Sequence, residues 1–274
     1  MGADVPECLH NPRPPLIFAD GNADCVMVRH MEMAIEKIIG IVTDVVKHSD
    51  RHNVVTLFTR HQGRVSLLSS AGAGKTGRMR NASLMPLSVI SADINFNPTR
   101  ELQFLGKFSR EILWKDLYFN PIKSAIGIFL SEFLNTYLRH SAPDAALWDY
   151  IATAIKRLDT GKRGVANFHI AFLIEFLSFA GIRPDLSEWR GDSWFDMRGG
   201  TMSLMPPGHR DTLAPSEAAV LPLLARMNLR TAHLFRFTSR QRRELLGVLL
   251  HYYSLHFPGL SALKSPAVLA EVFG

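Results

Sequence analysis

Ile38-Ile39-Gly40-Ile41-Val42-Thr43-Asp44-Val45-Val46 (residues 38–46) is a β-branched run that stops at the turn residues Ser49-Asp50. Four similar runs follow, at Asn53 to Thr59, Arg64 to Ser69, Leu87 to Asn95 and Glu101 to Ser109, with Gln62-Gly63 and Asn97-Pro98 among the breaks. Short β-branched segments bounded by turn residues are read as strands. No long helical period separates them, so five strands predict a small closed barrel of OB-fold size. In the last run, Leu102, Phe104 and Phe108 are expected to point one way and Gln103, Lys107 and Ser109 the other, the alternation of a wall with one dry face.

Beyond Trp114 the period becomes helical. Pro121 opens a segment in which Ile122, Ile126, Phe129, Phe133 and Tyr137 recur at helical spacing up to His140. Asp144 is placed to cap a second helix through Leu158, and Val165 to Ala180, apolar nearly all round, predicts a central buried helix stopped by Gly181 and Pro184. Residues 181–214 lose this regularity and hold a hairpin pattern from Trp194 to Leu204. Helices are expected again at Pro215 to Met227, Ser239 to His256 and Pro266 to Phe273. The fold class is therefore α+β: an OB-fold barrel over 34–112, then an all-α domain over 113–274 with a small irregular hairpin insertion at 181–214.

The chain has 274 residues, 47% of them apolar, which is enough for a sizeable core. Residues 1–33 contain Pro6, Pro12, Pro14, Pro15 and both cysteines, Cys8 and Cys25, without periodicity. They are expected to be disordered or a non-native extension, with Met31 or Met33 as an alternative start. They lack the basic start and apolar run of a secretory signal, and Pro6 breaks a myristoylation pattern. A reduced, cytoplasmic protein is the expectation. Two cysteines support neither a disulfide framework nor a four-thiolate zinc site.

The formal charge is +6, and it is unevenly distributed. Residues 34–112 hold 11 basic and 6 acidic residues, and residues 220–246 hold 6 and 1. In the first block, Arg51, Arg60 and Arg64 lie in or beside turns. Lys75, Arg78 and Arg80 decorate a Gly/Ala/Ser-rich stretch expected to be a mobile loop, and Lys107 lies on the last strand. That is the composition of a groove that tracks phosphates, set against an ordinary solvated basic surface. Phe58, Phe96, Phe104 and Phe108 are either stacking faces or core. The second block contains Arg226, Arg230, Arg236, Arg240, Arg242 and Arg243, with Arg236, Arg240 and Arg243 expected on a helix beside Leu234, Phe235 and Phe237.

Catalytic motifs are not recognisable. Ala71-Gly72-Ala73-Gly74-Lys75-Thr76 imitates the end of a phosphate-binding P-loop, but Ser69 stands where that motif needs its first glycine, and more strand pattern follows. His48, His52 and His61 have no ligand spacing around them, and His209-Arg210-Asp211 reads as surface. There is no nucleophile elbow and no His-Glu-x-x-His helix, so an enzyme is not expected and no cofactor is implied.

Three stretches carry a family likeness: Gly164-Val165-Ala166-Asn167-Phe168-His169, Trp194-Phe195-Asp196-Met197-Arg198-Gly199-Gly200, and Tyr252-Tyr253-Ser254-Leu255-His256-Phe257-Pro258-Gly259-Leu260 with Leu263-Lys264-Ser265 and Val268-Leu269. With Ile39-Gly40-Ile41-Val42 and His48-Ser49-Asp50 at the start, residues 34–274 resemble the RecO family of bacterial DNA repair and recombination mediators, most of all its Bacteroidetes-type forms.

The resemblance implies an OB-fold that binds single- and double-stranded DNA and anneals complementary strands. It also implies a helical domain that docks protein partners: RecR, often RecF, and single-strand-binding protein (SSB), so that RecA is loaded on coated DNA. The expected location is the cytoplasm, at the nucleoid. Many relatives hold zinc with four cysteines in the segment matching 181–214. This chain has none there, so packing by Trp189, Trp194 and Phe195 is expected instead. The resemblance fixes no DNA-contacting residue. The candidates remain Arg51, Arg60, Arg64, Lys75, Arg78, Arg80 and Lys107, with Arg236, Arg240, Arg242 and Arg243 as an SSB-tail site or a second DNA contact. The rival reading is a non-enzymatic OB-fold adaptor that binds RNA.

Overall fold

A computed structural model describes residues 35–273 except 73, 96, 98 and 99. The expectations for residues 1–33, for Phe96 and for Pro98 lie outside the described residues. Five strands, β1 (Ile35–Lys47), β2 (His52–Thr59), β3 (Gly63–Ser70), β4 (Val89–Asn95) and β5 (Leu102–Arg110), close into a barrel in the order β1-β2-β3-β5-β4. All pairings are antiparallel except the parallel β3–β5 contact that closes it. Ile38, Val42, Val55, Leu57, Val65, Leu67, Ile90, Ala92, Ile94 and Leu105 fill the interior.

The fourth strand starts two residues later than the pattern predicts. Leu87 adopts a left-handed conformation (φ 63°), fully buried, with its N–H donating to Val42 O at 2.7 Å and its carbonyl accepting from Trp114 Nε1 at 3.0 Å. The predicted alternation of β5 is also reversed at its start. Gln103 and Leu105 point inward, whereas Phe104 is 60% exposed. Gln103 is buried because it ties the preceding turn: its Oε1 accepts from Asn97 N, and its Nε2 donates to Asn97 O and Arg100 O at 2.8 and 2.7 Å. An irregularity in the β4–β5 register between Ala92 and Ile94 then adds a residue to β5 and shifts the phase. Gly106 sits in it, where a Cβ would lie 2.6 Å from Asp93 O.

The stretch expected to be a mobile loop is a helix, α1 (Lys75–Ser83). Gly77 would place a Cβ 1.9 Å from Gly72 O, so only glycine lets the first turn fold back on the end of β3. Just past the helix, Leu84 enters the barrel core.

The helical part comprises α2 (Pro121–Tyr137), α3 (Ala145–Thr160) and α4 (Phe168–Phe179), then a miniature sheet of β6 (Trp194–Asp196), β7 (Thr201–Ser203) and β8 (Thr212–Leu213). It continues with α5 (Pro215–Ala218), α6 (Leu221–Leu224), α7 (Ser239–His256) and α8 (Ser265–Phe273). Asn120 and Asp144 cap α2 and α3 as side-chain acceptors. The single helix expected over Pro215 to Met227 is two separate turns, since Pro222 has no N–H to give to the carbonyl of Ala218. The central helix begins with a 3₁₀ turn at Val165–Asn167 and is enclosed by Phe129, Phe133 and Tyr253. Glu132 of α2 accepts from the backbone N–H of Lys264 and Ser265 and from the Ser265 hydroxyl, and so supplies the cap of α8.

Apart from its own interior, the barrel contributes its outer face to a second core that it shares with the helices. Ile41, Phe58, Leu87 and Val89, on the outer barrel face, pack with the helical residues. Ser131 Oγ donates to Thr43 O at 2.6 Å, Trp148 Nε1 to Phe58 O at 3.1 Å, and Asn135 Nδ2 to Asp44 Oδ2 at 3.0 Å. Phe58 is thereby core rather than a stacking face. The connecting segment is held by Asp159, whose carboxylate accepts from the N–H groups of Lys115, Asp116 and Leu117. Burial alone would raise the Asp159 pKa, but these bonds hold it below the usual carboxylate value. The buried Lys123 ammonium bonds Asp159 O at 2.6 Å and Asp116 at 2.7 Å.

The 181–214 insertion meets the packing expectation in part, through Phe195, with Trp194 half-buried. Phe195 is buried against Tyr252, with Met197, Met202 and Leu213 beside it, whereas Trp189 is 38% exposed. His209-Arg210-Asp211 is not simply surface. Asp211 is buried and binds Arg198 at 2.6 Å and His251 of α7 at 3.1 Å, while His209 lies 3.3 Å from Asp196. These contacts tie the insertion to α7.

Candidate nucleic-acid interface

The strand directions sort the seven barrel candidates between two rims. Arg51 lies in the β1–β2 turn, and its carbonyl accepts from Ala71 N at 2.7 Å, just past the end of β3. Lys75, Arg78 and Arg80 follow on α1 at that same rim, and Lys107 is on β5 beside the Gly106 carbonyl that Arg80 contacts. Arg60 and Arg64 flank the β2–β3 turn at the opposite rim. The two rims are separated by the length of β2, about 26 Å at the usual strand rise.

Their engagements differ. Arg51, Lys75, Arg78 and Lys107 are exposed, and none has a carboxylate within ion-pairing distance among the described residues. Arg80 is a structural residue: its guanidinium donates to Ser69 Oγ at 3.1 Å and Leu105 O at 3.0 Å and lies 4.8 Å from the Phe108 ring centroid. Desolvation lowers its pKa. At the other rim, Arg60 is paired with Asp149 of α3 at 2.7 Å. Arg64 is half-buried, its pKa lowered first by burial and next by the neighbouring Arg139. Arg139 sits beside Arg64 at this seam, where the barrel rim meets the helices, although the sequence reading did not select it. A cation two strands and two helices away is invisible in segment charge.

Between the rims runs an outward face of β3 and β5. On β3, Arg64, Ser66, Leu68 and Ser70 alternate with buried neighbours. The register sets Ser66 beside Leu102 and Leu68 beside Phe104. Phe104 is thus an exposed ring on the wall between the two cationic rims, while Phe108 lies under Arg80. In OB-folds, the β2–β3 face and the β1–β2 and β4–β5 loops are the surfaces that take oligonucleotides.

The second candidate block is not one helix face. Thr238 caps α7, its hydroxyl accepting from Gln241 N at 3.2 Å, so Leu234, Phe235, Arg236 and Phe237 precede the helix. Arg242 is structural, bonded to Phe237 O at 2.7 Å and Ser239 Oγ at 3.1 Å, with its charge 5.3 Å from the Phe273 ring centroid. Arg240 pairs with Glu244 at 2.8 Å. Arg236, two residues after the solvent-facing Leu234, and Arg243 are both exposed near the positive end of an 18-residue helix. Elsewhere, an apolar cavity of about 520 Å³ opens between α4, α7 and the insertion, with Glu175 and Arg183 in its lining.

Among the described residues, no group of three or more His, Cys, Asp or Glu side chains is placed to hold a metal ion, and no helix is long and apolar enough to cross a membrane.

A closed five-stranded barrel with a cationic rim, fused through a common core to a helical domain, defines a class of OB-type nucleic-acid-binding proteins. Residues 33–109 match the family profile described as "Recombination protein O N terminal", and residues 118–266 match "Recombination protein O C terminal". Relatives named DNA repair protein RecO align along nearly their whole length. One from Phocaeicola vulgatus is 34% identical over 239 residues, covering 87% of this chain and 99% of its own. One from Bacteroides fragilis is 34% identical over 240 residues, with the same coverage. One from Flavobacterium psychrophilum is 27% identical over 239 residues, covering 86% and 98%. The chain belongs to the RecO family of DNA repair and recombination proteins.

Proposed function

We propose that the protein is a non-enzymatic recombination mediator. It binds single- and double-stranded DNA along the β3–β5 wall, anneals complementary strands, and acts with RecR to load RecA onto SSB-coated DNA. The observation that carries this reading is the exposed Phe104 ring on an open wall, with the unpaired cations Arg51, Lys75, Arg78 and Lys107 at one rim. Stacking on the ring is indifferent to base identity, and the cations neutralise phosphates, so the surface reads no sequence. Arg60 and Arg64 extend the path at the far rim, and Arg80 holds α1 in place behind it. Annealing needs no nucleotide hydrolysis: neutralising the phosphates of two strands on one surface lowers their repulsion, and base pairing supplies the driving force.

The SSB tail, an acidic peptide with an apolar tip, is proposed to meet Arg236, Arg240 and Arg243 beside Leu234, with Arg242 positioning the segment. The α7 N-terminus adds its own attraction for carboxylates. RecF is a further partner implied by the family, acting in the cytoplasm at the nucleoid.

The test is anisotropy of labelled single-stranded DNA, bare and SSB-coated, titrated at several salt concentrations. Five neutralised phosphates give a log–log slope of about −3.5, roughly a hundredfold loss between 50 and 200 mM salt. A ternary complex on coated DNA is expected. Binding that ignores salt, or that prefers structured RNA, would overturn the reading.

A further inference from the structure

A cavity of about 310 Å³ lies where the end of α3 meets the turn before α4 and the loop after α6. Arg157 in the last turn of α3, Arg163 in the following turn, and Arg230 and His233 in the later loop all line it. The site is built rather than accidental. Gly164 has φ +71°, and a Cβ there would sit 2.6 Å from both the backbone N and Cα of His233, so the two loops meet only because that residue is glycine. Buried Asn167 ties the same loops, its amide donating to Ala232 O at 3.1 Å and Phe235 O at 2.8 Å. Asn228 Oδ1 accepts from the N–H of Arg230 and Thr231 and fixes the turn that carries Arg230.

None of the guanidiniums of Arg157, Arg163 and Arg230 makes a hydrogen bond or ion pair among the described residues. The nearby carboxylate Glu175 feels Arg157 and Arg230, but it is already engaged by Leu229 N–H at 3.2 Å. Three unpaired planar donor forks at one mouth suit the tetrahedral oxygens of a phosphate. Leu158, Phe168 and Ala232 in the lining are buried by the protein's own packing and offer no open greasy pocket to a peptide tip. Arg157 lies eight residues along α3 from Asp149, the partner of Arg60 at the barrel rim, about 12 Å of helix axis.

We infer that this cavity is a phosphate site for a nucleic-acid strand that leaves the barrel at the Arg60–Arg64 rim, with Arg157, Arg163, Arg230 and His233 as its contacts. The inference deepens the DNA-binding reading above and rests on it. The phosphate is either internal to the strand or a 5′-terminal monoester.

The experiment compares the wild-type chain, R163E/R230E, the milder R163Q/R230Q, and the control R190E/R210E, whose exposed positions lie outside the cavity. Each is titrated with 5′-phosphorylated and 5′-hydroxyl oligonucleotides across a salt series, with a urea midpoint to check folding. An internal phosphate predicts that R163Q/R230Q loses five- to tenfold in affinity on both oligonucleotides, with a salt slope shallower by about 0.7, and that the control loses less. A terminal phosphate predicts that loss on the phosphorylated strand alone. Wild-type binding at full slope, with cavity variants no weaker than the control, would overturn the site and leave the barrel reading intact. No wild-type binding at all would overturn both.

Discussion

At the open rim of the barrel, Arg51, Lys75, Arg78 and Lys107 face solvent without carboxylate partners among the described residues. At the opposite rim, Arg60 is held by Asp149, and Arg64 is half-buried beside Arg139. Both rims are basic, yet only the first holds its charge free for a ligand at no cost in broken contacts. The seam spends part of its charge fastening barrel to helices, and a strand arriving there must compete with Asp149. A charge excess counted along the sequence therefore locates a region, while the fold decides which of its cations are available.

The largest expected effect tests the free rim. Replacing Lys75, Arg78 and Lys107 together with glutamate removes three phosphate contacts and adds repulsion. Affinity for single-stranded DNA should fall by two to three orders of magnitude, and the salt slope should become shallower by about 2. The urea midpoint should stay within error of wild type, because these side chains hold nothing else. Unchanged affinity and slope would remove the open rim from the interface and erase the contrast between the two ends of the barrel.

Arg80 sits on the same helix as Arg78 and should behave oppositely. R80A discards the bonds to Ser69 and Leu105 and the contact with Phe108, leaving a buried carbonyl without its donor. A destabilisation of about 2 kcal/mol is expected in urea unfolding, with little change in the salt slope at temperatures where the variant is folded. R80K should not restore stability, since one ammonium cannot reproduce the fork. Stability at the wild-type level with a shallower slope would move Arg80 from scaffold to contact.

Much of this was legible from one-dimensional pattern. Turn residues and β-branching located five strands, and helical period with Asp144 and Pro121 located α2 and α3, because those signals are local. What was missed depends on distant neighbours. Lys75 to Ser83 looks like a flexible loop until Gly72 and Gly77 come together. Gln103 looks outward-facing until the turn before it needs an acceptor and a donor. Asp211 looks like surface until Arg198 and His251 arrive from two other elements. The sorting of arginines into free and engaged belongs to the same class: Arg240, Arg242 and Arg243 lie within four residues of sequence, and one pairs with Glu244, one braces Phe237, and one is open to solvent.

Acid separates charge from fold. The contacts proposed at the open rim are Arg and Lys, whereas the acid-sensitive group lies in the helical core. The helical core contains His169, fully buried against Phe129 and Phe273, its pKa pushed down to about 3 by desolvation and by Arg242. Its folded pKa lies below the unfolded value of about 6.5. Its contribution is therefore intact above pH 6.5 and is lost progressively as pH falls toward 3, up to about 2 kcal/mol by pH 5. Urea midpoints at pH 7 and 5 should differ in that direction for wild type and less for H169F. Equal acid sensitivity of the two would show that other groups set the acid limit.

The smallest effect probes the seam itself. The Arg60–Asp149 pair is solvent-exposed on both sides, so breaking it with D149A should change stability by less than about 1 kcal/mol. The same change frees Arg60. If the seam differs from the open rim only because its cation is occupied, D149A should bind single-stranded DNA about two- to threefold more tightly than wild type, and R60A/D149A should lose that gain. A D149A chain no tighter than wild type would mean that Arg60 lies off the path. The strand would then have to cross the barrel wall at Phe104 without touching the β2–β3 turn, and the two rims would differ in position and not merely in occupancy.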